Sequence, residues 1–333
     1  MESEFRHDPI SGRQVIIAPA REDRPHEFGV DLPRQSDSED PFLEGNEAIT
    51  GSEVYAVRDP GSKPNSPGWK VRVVPNKYAA LEDRPTEDSQ RGMYAASTGF
   101  GVHEVIIECP HFETNMSRLS VENIGQVLWT YRERLQTLKQ DSRLRHASVF
   151  KNKGALGGAS IEHSHSQLIV TSRLNEVVKR EMCSASAYYD EHQINLFEQI
   201  IQHELQVRER LVVVTDNFVA LCPFASRFAY ETWVIPRWSV CQFEQIDQAL
   251  TAELATIIKS VLKKLEIALQ DPPYNYIFHT APFESDDAAT YFRWHVEFIP
   301  RTTVVGGFEW SSGCFINSVS PEFAANRLSG IDL

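Results

Sequence analysis

Hydrophobic positions along the chain recur at two periods. Between Ser120 and Leu138, the residues Ile124, Val127, Leu128, Tyr131, Leu135 and Leu138 fall three or four apart. That spacing predicts an amphipathic helix, with Ser120 and Asn123 as possible caps. Thr251 to Leu269 shows the same stripe in Leu254, Ile257, Ile258, Val261, Leu262, Leu265 and Leu269. Short β-branched and aromatic runs predict strands at Val71–Val74, His103–Glu108, Ala147–Phe150 and Ser166–Thr171. Leu32 to Pro67 is rich in Pro, Ser, Gly and acidic residues and reads as loop around one extended piece, Glu53 to Val57. Asp83 to Ser97 is polar and also reads as loop.

The order then repeats. Leu211–Val214 followed by TDNFVAL echoes VRVVPNKYAAL, and ETWVIP echoes EVIIECP. YNYIFHTAP echoes HASVFKNKG, and RWHVEFIP echoes HSHSQLIV. Four matched landmarks favour an internal duplication over chance similarity. The unit is strand, strand, helix, strand, loop, strand, which predicts an α+β fold of antiparallel sheets, each with a packed helix. The expected domains are residues 1–172, carrying the H-S-H-S-Q motif, and 173–333, with a degenerate copy.

Composition narrows the function. The 333 residues are 41% hydrophobic and 24% charged, with net charge -13 and pI about 5.4. A diffuse negative field disfavours nucleic acid and anionic lipid, while a local cluster of cations can still hold a small anion. No stretch approaches the roughly 20 apolar residues of a membrane span, and MESEFRHDPI does not read as a signal peptide. The five scattered Cys, never in C-x-x-C spacing, fit reduced thiols in a cytoplasmic protein. No G-x-G-x-x-G, P-loop or G-x-S-x-G motif occurs.

Chemistry concentrates in Lys151–Gln167, KNKGALGGASIEHSHSQ. In a strand His163, His165 and Gln167 share one face. They follow a loop with Gly154, Gly157 and Gly158, whose backbone can approach a phosphate closely. Lys151, Asn152 and Ser160 can add donors. A neutral imidazole is a competent nucleophile at phosphorus. The residues alone leave three readings open: phosphate chemistry with a histidine nucleophile, a metal-binding H-x-H pair, or a structural histidine pair.

At these residues the chain resembles the galactose-1-phosphate uridylyltransferases of the histidine-triad superfamily. The likeness runs through HDPISGRQVIIAPAREDRP, VRVVPNKYAAL, HEVIIE, FKNKGALGGASIEHSHSQ, PFASRFAYETWVIP, DPPYNYIFHTAP, RWHVEFIP and GGFEWSSGCFIN. The resemblance implies two histidine-triad-like domains, a homodimer and ping-pong uridylyl transfer needing no cofactor. It implies that His165 attacks UDP-glucose, that a hexose 1-phosphate accepts the uridylyl group, and that Gln167 bonds the α-phosphate. Ser160 with the Gly158–Ala159 backbone would take the β-phosphate. Arg21 and Arg24 would reach nucleotide sugar across the dimer, Asn76 and Lys77 would contact the nucleoside, Asn152 the phosphate site, and Phe308, Glu309 and Asn317 the sugar.

The departures from that pattern are chemical. Where relatives carry a C-x-x-C zinc pair, this chain has Asp40-Pro41-Phe42-Leu43, although His111 and His163 remain. A second zinc site would fall on Asn195, Glu198, Ser239 and Arg293, none of them Cys or His. Structural zinc is therefore expected to be lost, with Arg293 placing a guanidinium at the vacated position. Glu181, His279 and His295 match three positions of another metal group in some relatives, with Glu297 in place of the last His, and the four are read here as a hydrogen-bonded core cluster in preference to a metal site. The H-S-H-S-Q form also occurs in plant-type relatives acting on ADP-glucose. The alternatives to UDP-glucose chemistry are thus an ADP-glucose phosphorylase or another nucleotide-sugar nucleotidyltransferase, and an inactive nucleotide-sugar-binding protein.

Overall fold

The computed structural model describes residues 3–21, 40–84 and 88–333, so Arg24 lies outside the described residues. The chain opens with β1 (Glu4–His7) and β2 (Gln14–Ile17), then β3 (Tyr55–Arg58), β4 (Trp69–Pro75), β5 (Asp88–Arg91), β6 (Tyr94–Ser97) and β7 (Gly101–Ile107). Next come α1 (Val121–Leu138), β8 (His146–Lys153), β9 (His165–Thr171), α2 (Glu176–His192) and α3 (Leu196–Val207). The second half has β10 (Leu211–Val214), β11 (Phe218–Leu221), β12 (Thr232–Pro236), α4 (Gln248–Leu269), β13 (Tyr274–His279) and β14 (His295–Pro300). It ends with α5 (Gly307–Ser312), β15 (Phe315–Asn317) and α6 (Pro321–Ser329).

Both expected helices form. The Ser120 hydroxyl accepts from the Asn123 N–H at 3.0 Å and starts α1, and Asp247 caps α4 through the Leu250 N–H at 2.8 Å. The repeat is visible in the sheet. Strands β10-β11-β12-β14-β13 and β3-β4-β7-β9-β8 have the same internal order, and they join edge to edge where β13 pairs antiparallel with β8. One ten-stranded antiparallel sheet results. At the junction Ile277 faces Phe150; Phe150 also pairs with Gln167, and Ile277 with Glu297. The pseudo-twofold therefore sets His295 at the place of His165, Glu297 at that of Gln167, and His279 at that of Asn152. The sequence echo had set His279 against Lys151, one residue away.

Helices α1 and α4 cover one face of this sheet. Ile124, Val127, Leu128 and Leu135 of α1 and Leu254, Ile257, Ile258 and Val261 of α4 meet Val71, Ile106, Val149, Leu168, Val234 and Val296 in one core. Burying each such side chain contributes about 1.5–3 kcal/mol. The other face differs between halves. In the second half, α2 and α3 close it with Val178, Ala185, Phe197 and Ile201 against Val219, Leu221 and Ile235. Among the described residues, the first half carries there a small cluster of Phe42, Trp69, Val74, Val105 and Ile107, and His103 and Gln167 stay partly accessible beside it. Among the described residues the face of the first half is therefore the less covered of the two.

Some elements depart from expectation. Asp83–Ser97 is not all loop: β5 and β6 form an exposed hairpin turning at Gly92, whose φ is 65°. Among the described residues, helices α2 and α3 have no counterpart in the repeat. A small separate sheet joins β1, β2 and β15. No helix among the described residues is long and apolar enough to cross a membrane.

Candidate active site

His165 opens β9 on the accessible face and is 6% exposed. Its Nδ1 donates to the His163 carbonyl at 2.7 Å, so Nε2 carries the lone pair. Burial, and then the neighbouring Lys151 ammonium, hold its pKa down to about 4. The imidazole is therefore neutral at pH 7, as a nucleophile requires. The Phe42 ring packs edge-on at 5.1 Å from the imidazole.

Period-two alternation turns Ser164 and Ser166 to the opposite face, under α1. There the Lys151 Nζ donates to Glu108 Oε2 at 2.6 Å, to Ser164 Oγ at 2.9 Å and to the His165 carbonyl at 2.9 Å. Ser164 also donates to Glu108 at 2.5 Å. The Tyr131 hydroxyl bonds Ser166 at 2.6 Å and Tyr276 at 2.5 Å. Lys151 and Glu108 are 1% and 0% exposed. Burial pushes Glu108 up, but Lys151 and Ser164 outweigh it and hold the carboxyl below its ordinary value. This corrects one expectation: Lys151 is no donor to a phosphate, because its strand parity sends it into the core beneath His165.

Gln167 stands two residues along on the His165 face. Its Oε1 lies 2.9 Å from His103 Nε2, which is 3.0 Å from Asn76 Nδ2. His103 comes from β7, and Asn76 from the turn after β4. Neither His103 nor the Glu108–Lys151 pair was singled out as functional from sequence. The parity of HEVIIE places His103 with Val105 and Ile107, but only the β7–β9 pairing shows that it meets Gln167.

The glycine loop is a 3-10 turn, Ala155–Gly157, entered through Gly154 at φ 70° and left through Gly158 at φ 82°. A Cβ on Gly157 would sit 2.8 Å from the Tyr274 carbonyl. The Gly158 and Ala159 N–H groups point inward, to the Ala155 carbonyl at 2.9 Å and the Gly154 carbonyl at 3.1 Å. The expectation that both donate to a phosphate is not met in this conformation, since turn closure uses them; Ser160 is exposed beside them. Asn152 braces the loop, accepting from Asn275 Nδ2 at 2.8 Å, while that same amide donates to the Gly157 carbonyl at 2.7 Å.

The remaining expected contacts lie elsewhere. Lys77 is exposed beside Asn76. Arg21 ends a short turn after β2, and Phe308 and Glu309 lie in α5, next to β15 of the same small sheet. Arg21 and Phe308 are exposed, whereas Glu309 caps α5 by accepting from the Gly306 N–H at 3.0 Å. Asn317 is 2% exposed. Its amide donates to the Ser226 and Phe228 carbonyls and accepts from Val319, so no polar atom remains for a sugar.

The zinc positions do not fit zinc. Leu43 offers no ligand and His111 is exposed. Both His163 nitrogens are engaged: Nδ1 faces Asp40 Oδ2 at 2.6 Å and Nε2 the Cys109 carbonyl at 2.9 Å. At the second site Arg293 pairs with Glu198 and donates to the Pro236 carbonyl at 3.1 Å, so two of the positions that the resemblance assigns to zinc form an ion pair. Asn195 caps α3 and donates to the Thr290 carbonyl at 3.0 Å.

The buried cluster of the second half is hydrogen-bonded. His279 Nδ1 meets Glu181 at 3.0 Å and its Nε2 lies 3.5 Å from Glu297, which also pairs with Arg227. Burial lowers the His279 pKa, but Glu181 and Glu297 outweigh this and raise it to about 10. Glu181, His279 and His295 do bring ligand-type atoms within 4.8 Å of one another. His279 Nδ1 is taken up by Glu181 and Glu297 by Arg227, while the Nε2 atoms of His279 and His295 are buried with no hydrogen-bond partner among the described residues. His295, at the place equivalent to His165, is 0% exposed and stacked between Trp233 and His279. The second copy is therefore sealed.

Comparison with known proteins bears on the family and the fold. The profile of the galactose-1-phosphate uridyl transferase N-terminal domain matches residues 1–175, and that of the C-terminal domain matches residues 181–328. An ADP-glucose phosphorylase of Arabidopsis thaliana is 32% identical over 99% of this chain and 93% of its own length. A galactose-1-phosphate uridylyltransferase of Thermotoga maritima is 26% identical over 98% of this chain and 97% of its own. The crystal structure of an Arabidopsis thaliana ADP-glucose phosphorylase with bound ADP-glucose superposes with TM-score 0.85 at 31% identity, covering all of both chains. The chain belongs to the galactose-1-phosphate uridylyltransferase family, as a nucleotidyltransferase of two-part α+β architecture.

Proposed function

We propose that the protein is an ADP-glucose phosphorylase. His165 Nε2 attacks the α-phosphorus of ADP-glucose. The bond from that phosphorus to the bridging oxygen breaks, glucose 1-phosphate leaves, and adenylyl-His165 remains. An oxygen of inorganic phosphate then attacks the same phosphorus, releases ADP and restores the imidazole. The observation that carries the reading is the neutral, buried imidazole of His165, its Nδ1 proton fixed on the His163 carbonyl and Gln167 beside it. Positioning and charge neutralisation supply most of the rate in such displacements.

The choice of adenylate over uridylate rests on the greater likeness to the ADP-glucose phosphorylase than to the uridylyltransferases, and on the shared H-S-H-S-Q form. UDP-glucose with a hexose 1-phosphate acceptor, the first expectation, ranks second. We further infer a homodimer, in which Arg21 and Phe308 from the small sheet approach a neighbour's site, and a protein that needs no metal. Intact mass after mixing with ADP-glucose or with UDP-glucose tests the substrate. An adenylate adduct supports the proposal. A uridylate adduct replaces it with uridylyl transfer, and binding without any adduct points to an inactive binding protein.

A further inference from the structure

His103 makes three polar contacts through two ring nitrogens. Its Nδ1 accepts from the Ala80 N–H at 3.1 Å. A neutral imidazole that accepts at Nδ1 carries its proton on Nε2. That Nε2 faces Gln167 Oε1 at 2.9 Å and Asn76 Nδ2 at 3.0 Å. Asn76 is itself oriented, because its Oδ1 accepts from the Tyr78 N–H at 2.8 Å, so its Nδ2 is a donor and cannot take the His103 proton. The proton therefore goes to Gln167 Oε1. This settles which way the Gln167 amide points, since its carbonyl end is held by His103. Among the described residues its NH2 end makes no protein hydrogen bond. The backbone adds a second tie, as the Asn76 N–H donates to the His103 carbonyl at 2.8 Å.

We propose that His103 is a positioning residue: it locks the Gln167 amide with its NH2 group toward the reacting phosphate, and joins that amide to the Asn76–Ala80 turn. The consequence is chemical. An amide facing the phosphate with its NH2 group stabilises the growing charge on a phosphoryl oxygen, whereas the flipped amide would present a carbonyl oxygen and repel it. The same contact links the turn expected to meet the nucleoside with the group beside the nucleophile, so a seated nucleoside and an oriented Gln167 depend on one side chain. The equivalent places in the sealed half hold Glu231 and Glu297, with Arg227 paired to Glu297. That pair leaves no amide to orient.

This inference rests on the proposed role of His165, and its test separates the two. His103→Met removes the donor at similar size, His103→Glu offers only an acceptor, and His103→Gln can donate again. Each is made in two forms. With His165 intact, the single-turnover rate of adduct formation is read by quenched-flow mass spectrometry with whichever of ADP-glucose or UDP-glucose labels the wild type. With His165→Ala, the equilibrium affinity for that nucleotide sugar is read by calorimetry, with no reaction. The expected result is a loss of about tenfold or more in labelling rate for the Met variant, short of the roughly 10²–10³-fold of a transition-state donor removed outright, because Gln167 remains and loses only its orientation. The Glu variant should be slower still, the Gln variant largely restored, and affinity much less affected than rate. Should the Met variant not fold, the Glu-against-Gln contrast carries the same test. Labelling of the Met or Glu variant at the wild-type rate overturns the His103 assignment alone, as does a fall in rate no greater than the fall in affinity. A wild type that takes no label from either sugar overturns the His165 reading, and this assignment with it.

Discussion

Lys151 is the most informative residue to change. Its ammonium sits 2.6 Å from the Glu108 carboxylate, and the two side chains are 1% and 0% exposed. Lys151→Met keeps the length of the side chain and removes the charge. Glu108 is then left as a buried carboxylate with Ser164 and two distant tyrosine hydroxyls. It must either stay charged without a counter-ion, which costs about 3–5 kcal/mol, or take up a proton. For a carboxyl of unfolded pKa about 4.3, holding a proton at pH 7 costs about 1.4 kcal/mol per pH unit, or roughly 3.7 kcal/mol. The two routes agree. The signs of the pH dependence then differ. In the wild type the Glu108 pKa is depressed, so its contribution is present above the unfolded value and lost as pH falls through the folded one. In the variant the pKa is raised, so lowering the pH stabilises the folded form relative to neutrality. Equilibrium urea unfolding followed by Trp fluorescence at pH 7 and pH 5 should show a gap of about 3–4 kcal/mol that shrinks to about 1 kcal/mol. Adding Glu108→Gln should recover part of the loss at pH 7. A gap below about 1 kcal/mol at pH 7, or one that widens toward acid, would refute the argument.

Four further outcomes follow from the same geometry. Because burial and Lys151 hold His165 at about 4, the rate of the first half-reaction should stay flat from pH 8 to near pH 5 and fall only as pH drops through about 4; a midpoint near 6.5, measured by rapid-quench labelling, would contradict this. Purified protein should contain far less than one zinc per chain by elemental analysis, and a chelator should leave its melting temperature unchanged. Arg293→Ala should lower that temperature with no rescue by zinc, since Glu198 would lose its partner. Gly157→Ala should destabilise by about 1–3 kcal/mol in urea unfolding, because the new Cβ would lie 2.8 Å from the Tyr274 carbonyl; an unchanged midpoint would contradict the tight packing of the loop on β13.

Much of this was legible in the sequence because it obeys local rules. The stripe Ile124, Val127, Leu128, Tyr131 and Leu135 is buried as its spacing requires, and Ser120 caps it. His165 and Gln167 stood out because polar side chains beside a glycine loop in an apolar strand need a reason. What was hidden depends on pairing across the sheet. His103 meets Gln167 only because β7 neighbours β9, and Lys151, turned to the core by strand parity, finds its counter-charge there in Glu108 of a different segment. Helix α2 escaped notice because its buried line, Val178, Glu181 and Ala185, has a carboxylate in the middle that is satisfied only by the distant His279. The β5–β6 hairpin is largely exposed, so no apolar alternation marks it. The departures at the expected zinc positions could be read, but not the contacts made there: the Asp40–His163 bond, the Phe42 ring and the Arg293–Glu198 pair appear only in three dimensions.

The central claim is that one imidazole carries the nucleotide during turnover. Protein mixed with ADP-glucose labelled in its adenylate, quenched in alkali and digested, should yield a single labelled peptide. The label should lie on His165 as an acid-labile phosphoramidate and be absent from His165→Ala. Label on another residue, or ADP formed at full rate with no labelled protein at any time, would contradict the account.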